Sequence, residues 1–155
     1  MNKVLVIMSE STQDVYDVVA PKTAQSVAAQ SGVTDPAFYQ EFAESDFDSA
    51  CYSFPGAFTL VAGVVGFDLT KAKQLAELTV NAQSNEAAKA TLAGLSYDVY
   101  VAQASLPAEQ RIAKYQAAID ANNANALETE QREQAIYAAT TIDQVYAIVY
   151  PPAAS

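Results

Sequence analysis

Acid–base chemistry near neutral pH runs most often through histidine, and this chain has none. That absence removes Ser-His-Asp and Cys-His nucleophile systems, zinc-protease motifs and imidazole metal ligands together. The single thiol, Cys51, follows Asp46 and Asp48 and has no base near it in sequence. Neighbouring negative charge raises a thiol's pKa and depletes the thiolate, so Cys51 reads as a small buried hydrophobe beside Tyr52 and Phe54. One cysteine also forms no internal disulfide. Glu41, Glu44, Asp46 and Asp48 are the densest set of oxygen donors. A calcium loop starting at Asp46 would carry Ala50 at its third ligand position and Cys51 where glycine is needed. Two readings of this cluster stay open, a cation site and a solvated acidic loop.

Phosphate chemistry has no better footing. A strand, then Ser9-Glu10-Ser11-Thr12, then a helix would have the order of a phosphate-binding loop, but the loop holds no glycine. Glu10 and Asp14 would repel the ligand. No G-x-G-x-x-G or G-K-[ST] occurs. No cofactor is expected, and the chain reads as a non-enzyme. Tyrosine is the remaining candidate: Tyr97, Tyr100, Tyr115, Tyr137, Tyr146 and Tyr150 supply every aromatic after Phe67. Their apolar bodies and polar tips suit either a contact surface or the rim of a core.

The elements that would carry these residues follow from periodicity. Lys3-Val-Leu-Val-Ile-Met8 predicts a short buried strand. Ser11 with Asp14 is a helix-start signal, and Val15, Val18 and Val19 would share a helical face. A second helix is expected over 21–30, stopped by Gly32. Thr34-Asp35-Pro36 predicts an N-cap and a helix to about Glu44, with Phe38, Tyr39 and Phe42 as its stripe. All six phenylalanines fall between Phe38 and Phe67, so the core centre belongs there. The run Phe58-Thr-Leu-Val-Ala-Gly-Val-Val-Gly-Phe67 predicts a strand that could pair with 3–8, with Gly63 and Gly66 marking a bulge or close backbone contact. After Asp68 the chain turns Ala-rich and helical. Ser84 predicts an N-cap and Gly94 a stop. Residues 97–104 fit helix or strand, and Asn122-Asn123-Ala124-Asn125 would interrupt the next helix. Thr141-x-x-Gln144 is a capping box for a last short helix. The fold class is therefore α+β, a helix-dominated single domain over 1–155. A minor sheet (3–8 and 58–67) and aromatic core occupy 1–68, and 69–155 is helical.

The chain carries 18 acids against 8 bases, a formal charge of −10. No Lys or Arg falls between Thr23 and Thr70, whereas Asp35, Glu41, Glu44, Asp46, Asp48 and Asp68 do. Such a chain repels nucleic-acid phosphates and anionic lipid, so neither is an expected direct partner. Residues 1–8 are too short and too quickly polar for a signal peptide, and 49–67 is interrupted by Ser49, Ser53, Pro55, Gly56 and Thr59, which argues against a membrane span.

Residues 126–139 have too little apolar face to dock a helix alone, whereas Ile142, Val145, Tyr146, Ile148, Val149 and Tyr150 wrap most of a short one. Tyr137, Ile142, Val145, Tyr146, Val149 and Tyr150 are therefore the candidate interface, docking on a neighbouring subunit. The run Ala135-Ile-Tyr-Ala-Ala-Thr-Thr-Ile-Asp-Gln-Val-Tyr-Ala-Ile-Val-Tyr150 is similar to helical segments in virion proteins of tailed bacteriophages. That resemblance implies a structural subunit of capsid or tail, located in the virion or otherwise the cytoplasm, whose partners are copies of itself or other structural proteins. The alternative is an acidic inhibitor that mimics nucleic acid and blocks a basic groove, motivated by the base-free interval. Rising salt should release the inhibitor's partner and leave apolar packing intact.

Overall fold

The structure, a computed structural model, describes residues 1–9, 12–96, 101 and 104–152. Among these residues the elements are β1 (Asn2–Ser9), β2 (Thr12–Val18), α1 (Ala24–Gln30), β3 (Tyr39–Ala43), β4 (Phe58–Val61), β5 (Val64–Phe67), α2 (Leu69–Ala93), α3 (Ala108–Ala138) and α4 (Ile142–Val149). Short 3-10 turns at Pro36–Phe38, Glu44–Asp46, Ser49–Ser53 and Pro55–Ala57 join the middle strands. The protein is α+β and helix-dominated, with two small sheets. Its contacts divide it into two compact units, residues 1–76 with 139–155, and residues 77–138.

In the first unit β1 is the central strand of an antiparallel sheet ordered β2-β1-β3. Val4 stands opposite Tyr16 on β2 and Glu41 on β3. A strand paired on both edges and covered on both faces must be apolar at consecutive positions, and Val4, Leu5 and Val6 are all fully buried. Alternation sends them to opposite sides. Val4 and Val6 join Val27, Ala28 and Val33 beneath α1, whereas Leu5 joins Phe42, Cys51 and Phe58. A capping box between Thr23 and Ser26 opens α1, and Gly32 follows it at φ 77°. Phe58 centres the second cluster, its ring 5.1 Å from both Phe47 and Phe67, 5.5 Å from Tyr52 and 5.8 Å from Phe42.

Several expectations need correction. Residues 12–18 form β2 and not a helix. Thr12, Val15, Tyr16 and Val18 favour a strand, and pairing along β1 satisfies a whole row of backbone groups that a short, isolated helix would leave to water. Asp35 does cap a turn, accepting from the Ala37 N–H, but the turn is a single 3-10 turn and the chain then extends as β3. Phe42 is thereby aimed into the aromatic cluster. Residues 58–67 do not pair with β1. They fold on themselves as the hairpin β4–β5, with Phe58 opposite Phe67. The turn is Ala62-Gly63, at φ 50° and 79°, the positive values that two-residue hairpin turns require. Gly66 is the close-contact position: a Cβ there would sit 3.0 Å from Thr59 Oγ1.

Neither Ser84 nor Asn122–Asn125 breaks a helix; α2 and α3 run through them. Ser and Asn are only mildly unfavourable inside a helix, and here Asn125 Nδ2 donates to Ser84 O at 3.1 Å and Ser84 Oγ at 3.0 Å. The two residues that would stop separate helices instead join two continuous ones. The ambiguous stretch 97–104 lies mostly outside the described residues. No helix of the described chain is long and apolar enough to cross a membrane.

Candidate interaction surface

The six residues singled out as an interface divide between the two units. Thr141 accepts from the Gln144 N–H and the Gln144 side chain returns to the Thr141 N–H, the capping box that starts α4. From that start, Val145 and Val149 are fully buried and Ile142 packs on the cluster of Leu5, Phe42, Cys51 and Phe58. The helix lies against the 3-10 turn Ser49–Ser53. The apolar face of α4 is thus covered by the aromatic unit of its own chain, which the expectation of a neighbour overlooked. Tyr146 and Tyr150 stay on the outside, 5.1 Å apart, with Tyr150 6.5 Å from Phe54. Tyr137 belongs to the second unit and is 68% exposed.

Cys51 and the acids weighed as chemical groups take part in structural contacts. Cys51 is buried, and burial, followed by the Asp48 charge, pushes its thiol pKa up. Asp46 accepts from the Ala43 N–H, Asp48 from the Ala50 N–H, and Asp68 from the N–H groups of Thr70 and Lys71 at the start of α2. Glu41 accepts from Asn2. Glu44 lies 3.7 Å from Lys3, whose ammonium also pairs with Asp17 and sits 5.2 Å over the Tyr52 ring. That hydrogen bond to Asp17 raises the pKa of Lys3. Tyr52 donates to the Glu44 carbonyl at 2.7 Å, and burial, then the Glu44 charge, raises its own pKa. Among the described residues no group of three or more His, Cys, Asp or Glu could hold a metal ion. Two open depressions, one by Gly32 and Phe38 and one by Phe47 and Tyr52, measure about 210 and 290 Å³.

The second unit presents a different surface. Among its described residues only Val80 and Ile136 are buried. Side-chain bonds link Glu77 to Tyr137, Asn81 to Glu133, Gln83 to Arg132 and Ser84 to Asn125, so α2 and α3 run antiparallel here. Apart from the buried Val80 and Ile136, the side chains linked across the seam between them are amide, hydroxyl and charged groups. The large aliphatic side chains lie off it: Leu78 is 67% exposed, Leu92 58%, Ile112 68%, Ile119 52% and Leu127 56%.

Their spacing sorts them. At about 3.6 residues per turn, Leu78 and Leu92 fall near one line on α2, and Ile112, Ile119 and Tyr137 near one line on α3. Each line stands about a quarter turn past the seam residues, counted in chain direction. Because the helices are antiparallel, a quarter turn in the same sense brings both lines to the same side. Leu127 points away from it. The opposite side of the pair carries Gln83, Ala87, Ala90, Ala117, Ala124, Glu128 and Ala135. One broad face of the helix pair is therefore aliphatic and amide, and the other is alanine and charge. From sequence, Ile112, Tyr115 and Ile119 read as the inward stripe of their helix; the structure leaves Ile112 and Ile119 exposed instead.

No protein-family model matches this chain, and no curated protein or solved structure matches it.

Proposed function

We propose that the protein is a non-enzymatic structural subunit that acts by packing the helix pair of residues 77–138 against other proteins in an assembly. The observation that carries this reading is the exposure of Leu78, Leu92, Ile112, Ile119 and Tyr137 along one face of that pair. An isolated exposed Leu needs no explanation, but five large side chains aligned on two helices form a patch that marks an interaction site. The first unit supports the reading from the other side. It has a buried core of its own, which takes in Val145 and Val149 of the C-terminal helix, and so can stand as an anchor, although Val19, Phe38, Val61 and Val64 stay exposed on it.

The assembly we propose is a tailed-phage virion, with the subunit in capsid or tail. The support is the likeness of residues 135–150 to helical segments of such proteins. The partners are copies of this chain or other structural proteins, with no direct contact to nucleic acid or membrane. The alternative is an acidic inhibitor that mimics nucleic acid, motivated by the base-free interval; four acids of that interval, Asp35, Asp46, Asp48 and Asp68, also accept from backbone N–H groups at turns and helix starts, a role the fold itself needs.

The test is co-sedimentation with purified particles from the cell that makes the protein. The chain is expected in the particle fraction, and Leu78→Glu with Ile119→Glu should leave it in the free fraction while its circular dichroism stays unchanged. A chain found only in the free fraction sinks the assembly reading.

A further inference from the structure

We infer that the outer edge of β2 is an interaction surface whose occupant is a second copy of the same chain, paired antiparallel along β2 about a two-fold axis at Val15. This surface lies apart from the helix-pair face, so the inference goes beyond the assembly reading and does not depend on it.

The sheet register fixes which backbone groups are open. The Glu44 N–H donates to the Met1 carbonyl at 2.9 Å, so Met1 and Glu44 are a hydrogen-bonded pair. In an antiparallel ladder such pairs alternate with non-bonded ones. Lys3 and Leu5 therefore turn their backbone groups toward β3, and Val4 and Val6 turn theirs toward β2. The partners of Val4 and Val6 on β2 are Tyr16 and Asp14. Gln13, Val15 and Asp17 then point their N–H and C=O groups away from the sheet. The side chains agree: Lys3 and Asp17 stand opposite each other as a non-bonded pair, where side chains come closest, and they bond at 2.5 Å.

Among the described residues, β1 is the only strand beside β2, and no hydrogen bond takes up the outward groups of Val15 or Asp17. The 3-10 turn Pro55–Ala57 lies near β2 without bonding to it. The other edge of the sheet is closed by side chains: on β3 the Ala43 N–H donates to Asp46, and the Glu41 carbonyl accepts from Gln40. An edge left open is a template for another extended chain.

The residues of β2 select a second copy. Only outward residues can form the new bonded pairs, so the register slips by two residues at a time. With the axis at Val15 all seven residues of Thr12–Val18 are paired. Val15 then meets Val15, Asp14 meets Tyr16, and Asp17 meets Gln13. No acid opposes an acid. The Tyr16 phenol already donates to Asp14 of its own chain at 3.1 Å, and in the pair it also faces Asp14 of the second copy. An axis one residue earlier sets Asp14 against Asp14, which repels. One residue later sets Tyr16 against Tyr16 and both acids against valines. The net charge of −10 opposes self-association in general, but at this edge Asp17 is already neutralised by Lys3. A two-fold perpendicular to the sheet produces this pairing and makes every contact twice. The product is one six-stranded sheet joined by six new backbone hydrogen bonds, a narrow strip at the weak end of interface sizes.

Sedimentation of the purified chain up to high-micromolar concentration tests this. The mass is expected to shift from that of one chain to twice it, and a chain that stays monomeric overturns the inference. Amide hydrogen exchange reads the edge directly. The Tyr16 amide should be protected at every concentration, and those of Val15 and Asp17 only as the dimer forms. Protection of Val15 and Asp17 already at high dilution would mean that the edge is covered within one chain, and it overturns the inference. Val15→Pro removes an outward N–H and leaves the β1 ladder its bonds, so it should weaken the dimer at least about tenfold with circular dichroism unchanged. A dimer indifferent to it overturns the edge contact. The register is tested by mild oxidation of an equal mixture of Asp14→Cys and Tyr16→Cys chains. The mixed disulfide should form, since the facing α-carbons lie about 4.5 Å apart. Asp14→Cys alone should not cross-link, its two α-carbons being roughly 8 Å apart on the diagonal. The reverse result overturns the axis at Val15. Leu78→Glu with Ile119→Glu should dimerise like the parent, and a monomeric chain that still enters particles leaves the assembly reading standing.

Discussion

The two units of this chain differ in how many large side chains they bury. In residues 1–76 with 139–155, large side chains converge on shared centres: Val4 and Val6 with Val27 and Val33, and Leu5 with Phe42, Phe58 and Ile142. In residues 77–138, only Val80 and Ile136 are buried among the described residues, most other large side chains stand in water, and the helices are linked through Asn81, Ser84, Asn125 and Glu133. Net hydrogen bonds stabilise by about 1 kcal/mol each, whereas one buried aromatic or aliphatic side chain contributes roughly 1.5–3 kcal/mol. The first unit therefore holds its shape from within. The second has propensity and a polar seam, with its aliphatic surface left for another molecule. Composition hides this contrast, because both regions are rich in hydrophobic residues.

The largest expected effect lies in the first unit. Phe58 is fully buried and touches four other rings, so Phe58→Ala should lose about 3–5 kcal/mol of unfolding free energy. Chemical denaturation followed by tyrosine fluorescence measures it. A loss under about 1.5 kcal/mol would mean that the aromatic cluster is not the centre of this unit.

A middle-sized effect tests whether α4 belongs to the same unit. Val149 is buried and Tyr146 is 40% exposed on the same short helix. Val149→Ala should cost roughly 1.5–3 kcal/mol, and Tyr146→Ala less than about 1 kcal/mol. The reverse order in melting experiments would show that α4 rests on its tyrosines and that its valines are not sealed.

Much of the first unit was legible because its signals are local or nearly so. The apolar run of β1, the six phenylalanines and the Thr141–Gln144 capping box each state their role within a few residues, whereas Gly63, which reads as a bulge within one strand, is the turn of a hairpin. What failed were choices between two local structures decided by a distant partner. Ser11 and Asp14 offer a helix start, but β1 offers residues 12–18 a full ladder, and the ladder wins. Asp35-Pro36 offers another start, and Phe42 is drawn instead into strand by the cluster around Phe58. The candidate interface was half legible for the same reason. Apolar excess in α4 was visible; that Leu5, Cys51 and Phe58 would cover it was not. The exposed face of α2 and α3 depends on helix pairing and on which sides meet, which no single helix encodes.

A smaller effect appears with pH. Lys3, Cys51 and Tyr52 all have raised pKa values in the fold, from ordinary values of 10.5, 9.0 and 10.0. Each group holds its proton more tightly folded than unfolded, so its contribution is whole below the ordinary value and is lost as pH rises through the higher folded one. The denaturation midpoint of the first unit should stay level from neutral pH and begin to fall above about pH 9. Cys51→Ala should delay the onset, because the lowest of the three titrations is then gone. A midpoint that rises between pH 9 and 11 contradicts the burial assigned to these groups.

The smallest expected effect is the most discriminating for the second unit. Leu92 and Ile119 are 58% and 52% exposed, so truncating either to alanine removes little buried area and adds a better helix former. At concentrations low enough to keep the chain monomeric, Leu92→Ala and Ile119→Ala should each change unfolding free energy by no more than about 0.5 kcal/mol. The same two substitutions should matter in an assembly, since there the side chains leave water. The comparison is one variant measured twice, by melting as the isolated chain and by recovery with particles. Alone the variants should melt with the parent, and in the particle fraction they should be depleted. A loss of 2 kcal/mol or so already at high dilution would show that these leucine and isoleucine side chains find cover within a single chain. The two units would then differ only in degree, and the open face that separates them would not exist in solution.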